Sequence, residues 1–281
     1  SFLRIFILFI VYSFILSITL ALTKRKKTVF LKRWRQDVRK NRERLRMKQE
    51  LEKAKEIQLE MLPKFLPTTE RYDLAGRSIP AMEVGGDYYD LFKKEDDRGF
   101  TLVVGDVSGH GLGSGLVLSG VRAGLNLLMD EDLSPRQILN RLNRMMKRTT
   151  DKKTFMTMVC TRFNLSDKMM DMVLSNAGHL PIIHYQQKSA RFDEIRHPAL
   201  PLGNRLDMQY KEIRVPLSSG DTLIFYSDGI SEARNMDGEE FGDRQFKELL
   251  ARVIPGDLDA NGILEALLHD LYEFSGSTVQ Q

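Results

Sequence analysis

The stretch FTLVVGDVSGHG, residues 100–111, decides the fold, because an apolar run in it ends at an aspartate that closely spaced glycines follow. Residues 100–104 are apolar or β-branched, which is typical of a buried strand. Asp106 lies at the end of this run, where a strand holds a side chain rigidly. Gly109 then allows a sharp turn and a close approach of the backbone to a ligand. The stretch therefore predicts a strand that presents the Asp106 carboxylate to a site.

Two further aspartates lie in the same local pattern. Asp87 follows a Gly-Gly pair that ends in Gly86, and Asp228 follows the apolar run 222–226 and precedes Gly229. A single Asp-Gly pair is typical of an ordinary turn. Hard cations such as Mg²⁺ and Mn²⁺ prefer carboxylate, carbonyl and water oxygens, so a few such aspartates suffice to bind them. If the strands meet, the three aspartates predict a divalent metal site.

Two loops carry candidate supporting residues. The glycine-rich segment 109–115 lacks the GxGxxG spacing and a following Lys-Ser/Thr pair, so we do not predict a nucleotide-binding loop. Its glycines instead lead the chain into a helix. His110 could protonate a leaving oxygen near neutral pH, or it could be a structural loop residue. Asn176, Gly178 and His179 follow a strand, and this composition is typical of a tight turn.

The N-terminal segment has the composition of a membrane span. Residues 5–22 carry no charge, and at about 1.5 Å per residue a helix of this length nearly crosses a hydrocarbon core of about 30 Å. A signal peptide and a buried helix are the alternatives. Basic residues follow at once, which favours a cytoplasmic location for the rest of the chain. We predict a transmembrane helix within residues 1–23.

The net charge of +4 averages two different regions. Residues 24–64 contain 16 Lys or Arg and 6 Asp or Glu, a net charge of +10, so residues 65–281 carry −7 once Arg4 is set aside. We interpret the basic region as a topology signal that contacts anionic membrane lipids. No nucleic-acid-binding motif accompanies it, so we predict no nucleic-acid partner. The single cysteine, Cys160, cannot form an internal disulfide, and its apolar surroundings predict a core position.

The segment 24–66 is predicted to be a basic juxtamembrane region that continues into a signalling helix. One helix over residues 28–62 should end at Pro63. Its apolar positions between residues 47 and 61 recur at steps of four and three. Two interpretations remain open: a solvated helix that packs on the next domain, and a parallel coiled coil that makes a homodimer through residues 47–61.

From residue 67 onward the pattern changes to short strands and a few helices. The predicted strands are Tyr72–Ile79, Tyr88–Phe92, Phe100–Val107, Phe155–Phe163, Met169–Ser175, Ile182–Tyr185, Glu212–Leu217 and Thr222–Tyr226. The predicted helices cover residues 113–129, 134–149, 243–253 and 258–273. Because strands and helices cluster instead of alternating, the order favours an α+β sandwich over βαβ units.

Four motifs, in this order along the chain, resemble those of the metal-dependent protein phosphatase superfamily, the protein phosphatase 2C-like enzymes. They are MEVGGDYYD at 82–90, GDVSGHG at 105–111, NAGHLP at 176–181 and YSDGI at 226–230. The similar branch is that of the bacterial stage II sporulation protein E and the stress-response regulators of sigma factors. The resemblance covers about residues 50–275.

The resemblance implies a four-layer αββα sandwich, in which two antiparallel sheets are flanked by helices, with two Mn²⁺ or Mg²⁺ ions at one end. It implies that Asp106 bridges the ions and that the backbone carbonyl of Val107 completes one coordination sphere. Asp228 would hold the other ion, Asp87 would bind directly or through water, and Asp90 is a lesser contributor. The implied reaction is hydrolysis of phosphoserine or phosphothreonine by metal-activated water, without a phosphoenzyme.

By the same resemblance, the expected substrate is a phosphorylated anti-anti-sigma-type protein. The predicted span and the basic residues after it add the expectation that the enzyme is tethered to the bacterial inner membrane with its catalytic domain in the cytoplasm. A non-catalytic module that binds a phosphoprotein is the alternative function. The family pattern adds a last strand with an Asp-Asp pair, which would follow residues 275–281. We therefore expect the phosphatase domain at 67–281 to be truncated before that strand, and this chain to bind one metal weakly.

Overall fold

The computed structural model describes residues 2–63, 66–79, 85–94, 99–166 and 170–276, apart from most side chains between residues 2 and 22. Internal contacts divide the chain into two compact units, Ser1–Lys53 and Ala54–Gln281. The first unit is helical, and the second contains the sheets and the other helices.

The described residues form five α-helices and eight β-strands. The helices are α1 (Phe2–Glu60), α2 (Leu112–Met129), α3 (Pro135–Thr149), α4 (Gly242–Val253) and α5 (Ala260–Ser275). The strands are β1 (Asp87–Lys93), β2 (Gly99–Val107), β3 (Met156–Leu165), β4 (Met170–Ala177), β5 (Ile182–Gln186), β6 (Arg191–Ile195), β7 (Glu212–Leu217) and β8 (Thr222–Ile224).

The strands make two antiparallel sheets. Five strands form the first sheet in the order β1-β2-β3-β4-β7, and three form the second in the order β6-β5-β8. Within the first sheet, the start of β1 pairs with the end of β2, and the end of β2 pairs with the start of β3. These three strand termini therefore lie at the same end of the sheet.

Three apolar clusters fill the spaces between the layers and hold them together. The first cluster joins α2 and α3 to one face of the first sheet, through residues such as Leu125, Leu142 and Val103. The second joins the two sheets, through residues such as Val159 and Ile182. The third joins the second sheet to α4 and α5. The chain is thus an α+β protein with the layer order helices, sheet, sheet, helices, which is the sandwich predicted from the sequence.

Alternation along β2 decides which way its side chains point. Val103 and Val107 pack in the cluster with α2 and α3, whereas Leu102 and Val104 pack between the sheets. Successive strand residues face opposite sides, so Asp106 shares the inter-sheet face with Val104. Asp106 therefore lies between the two sheets, at the end of the sandwich where β2 ends. We call this place the inter-sheet edge.

Most of the predicted elements are confirmed, and the exceptions have physical reasons. Residues 72–79 form no strand, although Tyr72 and Leu74 pack in the inter-sheet cluster, so the apolar pattern there reflects burial without pairing. Strand β6 was not predicted, because its sequence is polar and its first residues are exposed at a sheet edge. Strand β8 ends at Ile224, two residues earlier than predicted.

Most side chains of the predicted membrane span lie outside the described part of the chain, although the backbone of this segment belongs to helix α1. Within the described residues, the one helix long and apolar enough to cross a membrane is α2. Leu118, Val121 and Leu125 of α2 are buried in the domain core, so we assign α2 to the sandwich. The span at 1–23 stays a prediction.

Replacing Leu142 by Ala should lower the free energy of unfolding by about 2 to 5 kcal/mol, because the Leu142 side chain is fully buried between α3 and the first sheet. Leu127 of α2 is 72% exposed, so Leu127→Ala is the matched control and should change stability by less than about 0.5 kcal/mol. Chemical denaturation of both variants measures the difference. Equal losses would contradict the assignment of this core.

Candidate metal centre

Two of the three predicted aspartates lie directly opposite each other. Asp87 is the first residue of β1, and its register partner is Asp106 near the end of β2. Directly opposed residues of an antiparallel pair share one face of the sheet, with Cβ atoms about 4.5–5.5 Å apart. Two carboxylates so placed repel each other. Because Asp106 faces the second sheet, Asp87 does so too, and both lie at the inter-sheet edge.

Gly86 allows the backbone before Asp87 to lie against the end of β2. A Cβ on Gly86 would be 2.4 Å from Asp106 Oδ1 and 2.4 Å from the Val107 carbonyl oxygen. The Val107 N–H donates to the Gly86 carbonyl oxygen at 3.1 Å. Only glycine fits this position without displacing the Asp106 carboxylate and the Val107 carbonyl, so Gly86 is needed for the geometry of the site.

Asp228 joins the site from the second sheet. It lies four residues beyond the end of β8, at the start of a turn in which the Glu232 N–H donates to the Asp228 carbonyl oxygen at 2.8 Å. The prediction that Asp228 directly ends a strand is therefore wrong, because the chain has already left the sheet. Ser227 hydrogen-bonds to the Asp87 carboxylate, and a Cβ on Gly229 would be 3.9 Å from Asp87 Oδ2. This turn lies against Asp87.

The pKa values show that four acidic groups share one electrostatic environment. Burial, and after it the charges of Asp87, Asp228 and Glu232, together raise the pKa of Asp106 to about 7. Burial also raises the pKa of Asp87, against the hydrogen bond from Ser227. Because folded Asp106 holds its proton more tightly than an unfolded aspartate, its contribution to stability is lost as the pH rises from about 4 through 7.

The donor set fits a hard divalent cation. Asp87 Oδ1 is buried and has no hydrogen-bond partner among the described residues. It lies in a cluster of carboxylates and one backbone carbonyl, the oxygen ligands that Mg²⁺ and Mn²⁺ prefer. Within the described part of the chain, no three His, Cys, Asp or Glu side chains converge into a ready metal cage. The site is therefore a partial coordination sphere, of the kind that Mg²⁺ completes with water.

The loop 176–179 is the predicted tight turn. The His179 N–H donates to Asn176 Oδ1 at 2.7 Å, and Asn176 Nδ2 donates to the His179 carbonyl oxygen at 3.0 Å. Gly178 has φ 74°, and a Cβ there would be 3.0 Å from the Ala199 carbonyl oxygen. The turn thus needs glycine at this position.

His179 links this turn to the strand beside Asp106. Its Nδ1 lies 2.9 Å from the hydroxyl of Thr157, which is the register partner of Asp106 on β3. Burial lowers the pKa of His179 to about 4, partly offset by the Tyr226 backbone, so the ring is neutral near pH 7. His179 therefore acts here as an uncharged support between β3 and the segment that leads to Asp228.

The other predicted loop residues do not contact the aspartates in the same way. Gly109 has φ 87° and turns the chain out of β2, and His110 is exposed in the loop before α2. Asp90 lies on the opposite face of β1, where it accepts from the Tyr88 hydroxyl at 2.8 Å and pairs with Arg122 at 3.5 Å. The expected contribution of Asp90 to the metal site is thus corrected, since three residues along a strand reverse the direction of a side chain.

Gln58 is a residue of the site that sequence reasoning missed. It is buried at the end of α1, where its Nε2 donates to the Gly85 carbonyl oxygen at 2.6 Å and its Oε1 accepts from the Gly85 N–H at 3.1 Å. The end of α1 therefore holds the backbone that leads into Asp87. This supports the interpretation of residues 54–62 as a helix packed on its own domain, and it removes Gln58 from a coiled-coil seam.

Glu232 and Ser227 were also missed. Ser227 directly precedes Asp228, and its polarity beside a candidate ligand is the one signal that could have indicated it. Glu232 lies four residues after Asp228, where its N–H donates to the Asp228 carbonyl oxygen, and no local signal marks it.

A phosphatase site can use an arginine to bind phosphate, and the two arginines considered for this role are engaged elsewhere: Arg77 pairs with Glu265 at 2.6 Å, and Arg122 pairs with Asp90. Within the described part of the chain, neither arginine pairs with Asp87, Asp106 or Asp228.

Comparisons with known proteins agree with this fold. The chain is 31% identical over 192 residues to "Phosphoserine phosphatase RsbU" of Bacillus subtilis (strain 168), which covers 68% of this chain and 56% of that protein. The chain thus spans about half the length of this relative. Among solved structures, the SiaA-PP2C domain of Pseudomonas aeruginosa matches with a TM-score of 0.69 at 22% identity, over 85% of this chain and 94% of that one.

A second structure, the RsbU and RsbW domains of Rv1364c from Mycobacterium tuberculosis, matches with a TM-score of 0.56 at 25% identity, over 70% of this chain and 53% of that one. The sequence profile of the family "Stage II sporulation protein E (SpoIIE)" matches residues 96–280, which is more than half of the chain. The resemblance read from the four motifs is confirmed. The fold is similar to that of a protein phosphatase 2C domain, and the chain belongs to the stage II sporulation protein E family.

Proposed function

We propose that this protein is a metal-dependent serine/threonine protein phosphatase that removes phosphate from a phosphoprotein in a bacterial signalling pathway. The observation that carries the proposal is the arrangement at the inter-sheet edge. Asp87 and Asp106 lie opposite each other there, the charge of Asp228 acts on both carboxylates, and Gly86 leaves room for the Val107 carbonyl beside them. Family membership supports the same class of reaction.

The residues of the chain have distinct roles in this proposal. Asp87, Asp106, Asp228 and the Val107 carbonyl would hold Mn²⁺ or Mg²⁺, and the family resemblance adds a second ion. A bound divalent ion would lower the pKa of water and neutralise phosphoryl oxygens. Ser227 orients the Asp87 carboxylate through its hydrogen bond. His179 and Thr157 support the strand beside Asp106 without adding a charge.

The substrate and the location are the finer parts of the proposal. The relative named phosphoserine phosphatase supports phosphoserine as the group that is hydrolysed. We propose an anti-anti-sigma-type protein as its carrier, because the resemblance includes regulators of sigma factors. The uncharged segment 5–22 and the net charge of +10 that follows it support a tether in the bacterial inner membrane with the catalytic domain in the cytoplasm.

Asp106→Asn should abolish the Mn²⁺-dependent hydrolysis of p-nitrophenyl phosphate and of a phosphoserine peptide. The loss should exceed about 100-fold, since changes to groups that only support a metal ligand already cost about 10- to 100-fold. Asp257→Asn removes an exposed carboxylate between α4 and α5 and should leave the rate unchanged. Initial rates with and without Mn²⁺ measure both variants.

Unchanged hydrolysis by Asp106→Asn would reject the metal site. If Mn²⁺ binds but the wild-type protein hydrolyses no phosphoester, the alternative of a non-catalytic phosphoprotein-binding module replaces the enzyme.

Gly86→Ala should weaken Mn²⁺ binding about tenfold or more, because the added Cβ would displace both Asp106 Oδ1 and the Val107 carbonyl. Gly120→Ala on α2 is the matched control, since a Cβ there contacts nothing within 4 Å among the described residues. Isothermal titration with Mn²⁺ measures the affinity, and thermal unfolding in EDTA checks that both variants are folded. Equal affinities of Gly86→Ala and Gly120→Ala for Mn²⁺ would show that the close approach of Gly86 to Asp106 and Val107 is not part of the metal site.

Gln58→Ala should lower activity and Mn²⁺ affinity together by about tenfold, because it frees the backbone of Gly85 beside the first ligand. Gln49→Ala, at an exposed position of the same helix, is the control and should have no effect. Rates measured over a series of Mn²⁺ concentrations should show that excess Mn²⁺ restores much of the loss. If Gln58→Ala keeps the wild-type dependence of the rate on Mn²⁺, the end of α1 does not support the metal site.

A further inference from the structure

Helix α3 carries a cationic surface that the reaction does not use. Its buried side packs Ile138, Leu142 and Met146 on the first sheet, so its other side faces outward. From residue 141 onward, the outward side and the loop that follows contain six cations: Arg141, Arg144, Lys147, Arg148, Lys152 and Lys153. We call these six residues the cationic surface. They stand out because residues 65–281 as a whole carry a net charge of −7.

Two adjoining grooves give this surface a shape. A groove of about 590 Å³ is lined by Arg141, Arg144, Met145, Arg148 and Thr149. A second groove of about 240 Å³ shares the two arginines Arg141 and Arg144 with the first. Because Arg141 and Arg144 line both, the two grooves adjoin each other at these arginines on the outward side of α3.

Most of these cations are available for a partner. Arg141 pairs with Glu131 at 2.5 Å. The described residues give no ion pair to Arg144, Lys147 or Arg148, whereas the cations of the outer helix α4 at 244, 247 and 252 all have carboxylate partners. Cations in the last turn of a helix also complement its dipole, which accounts for Lys147 and Arg148. It does not account for Arg144, which lies a turn earlier, or for the lysines beyond the helix.

The cationic surface lies at the end of the domain that holds the aspartates. Helix α3 ends at Thr149, and the chain reaches β3 at Met156, whose register partner is Val107. The Phe155 N–H donates to the Ser108 hydroxyl at 2.9 Å, and the Ser108 N–H donates to the Phe155 carbonyl oxygen at 2.8 Å. The loop after α3 is therefore fastened to the loop after Asp106, and a chain that lies in the groove can continue toward the site.

We propose that the cationic surface docks an acidic segment of the phosphoprotein substrate. This inference rests on the proposed phosphatase function and specifies its substrate class: a phosphoprotein with acidic residues near the phosphorylated side chain. Opposite charges across an interface attract the correct partner and set its register. The arrangement also suits this site, because a phosphoprotein approaches four carboxylates that repel it, and the cations offset this repulsion.

The test compares two phosphoserine peptides, one flanked by acidic residues and one in which these residues are Gln and Asn, together with p-nitrophenyl phosphate. In the full chain in detergent with Mn²⁺, Arg144→Glu/Arg148→Glu should lower kcat/KM for the acidic peptide at least tenfold, mainly through KM. The neutral peptide and p-nitrophenyl phosphate should be hydrolysed at wild-type rates. Raising the salt concentration should shrink the difference, since exposed charges are screened.

Arg191→Glu/Arg244→Glu is the matched control, with the same change of net charge on the second sheet and α4, and it should act as wild type. An equal loss for both double variants, or no loss for the acidic peptide, overturns docking by this surface. A loss that appears only in anionic bilayers, and not in detergent or neutral lipid, assigns the surface to the membrane and also overturns it. Absence of hydrolysis for every substrate in the wild type instead rejects the phosphatase function.

Discussion

The close approach of the backbone at Gly86 to the end of β2 is the constraint on which the site depends. It brings Asp87 opposite Asp106 and leaves the Val107 carbonyl uncovered beside them. Like charges directly opposed on a sheet destabilise the fold. The raised pKa of Asp106, about 7, reflects that cost together with burial. A divalent cation is the ligand that would convert this repulsion into attraction, so the strain and the proposed function have the same physical origin.

The surrounding elements hold this unfavourable arrangement in place. Gln58 fixes the backbone before Asp87, and the turn at Ser227 fixes its carboxylate. The loop at Asn176 closes on itself and holds His179 against Thr157. These contacts come from α1, β3, β4 and the segment after β8. The site is therefore a meeting point of both sheets and the last turns of α1.

Much of this could be predicted from the sequence, because the strands alternate strongly and the glycines stand where the backbone needs them. The three aspartates and the turn at 176–179 were identified before the fold was known. Asp90 was misplaced because a motif does not show which face of a strand a residue occupies. The role of Gln58 has no local signal in the sequence, since its partner at Gly85 lies 27 positions away. Strand β6 lacks an apolar pattern because it lies at an edge.

The central claim is that Asp87, Asp106, Asp228 and the Val107 carbonyl together bind a divalent metal ion. Its most direct test is a crystal structure of the protein with Mn²⁺, in which anomalous scattering locates the ion. The account predicts a peak at the inter-sheet edge with carboxylate oxygens of Asp106 and the Val107 carbonyl at about 2.0 to 2.3 Å, in the range of hard-cation oxygen ligands. A peak elsewhere, or saturating Mn²⁺ with no peak at these residues, would contradict it.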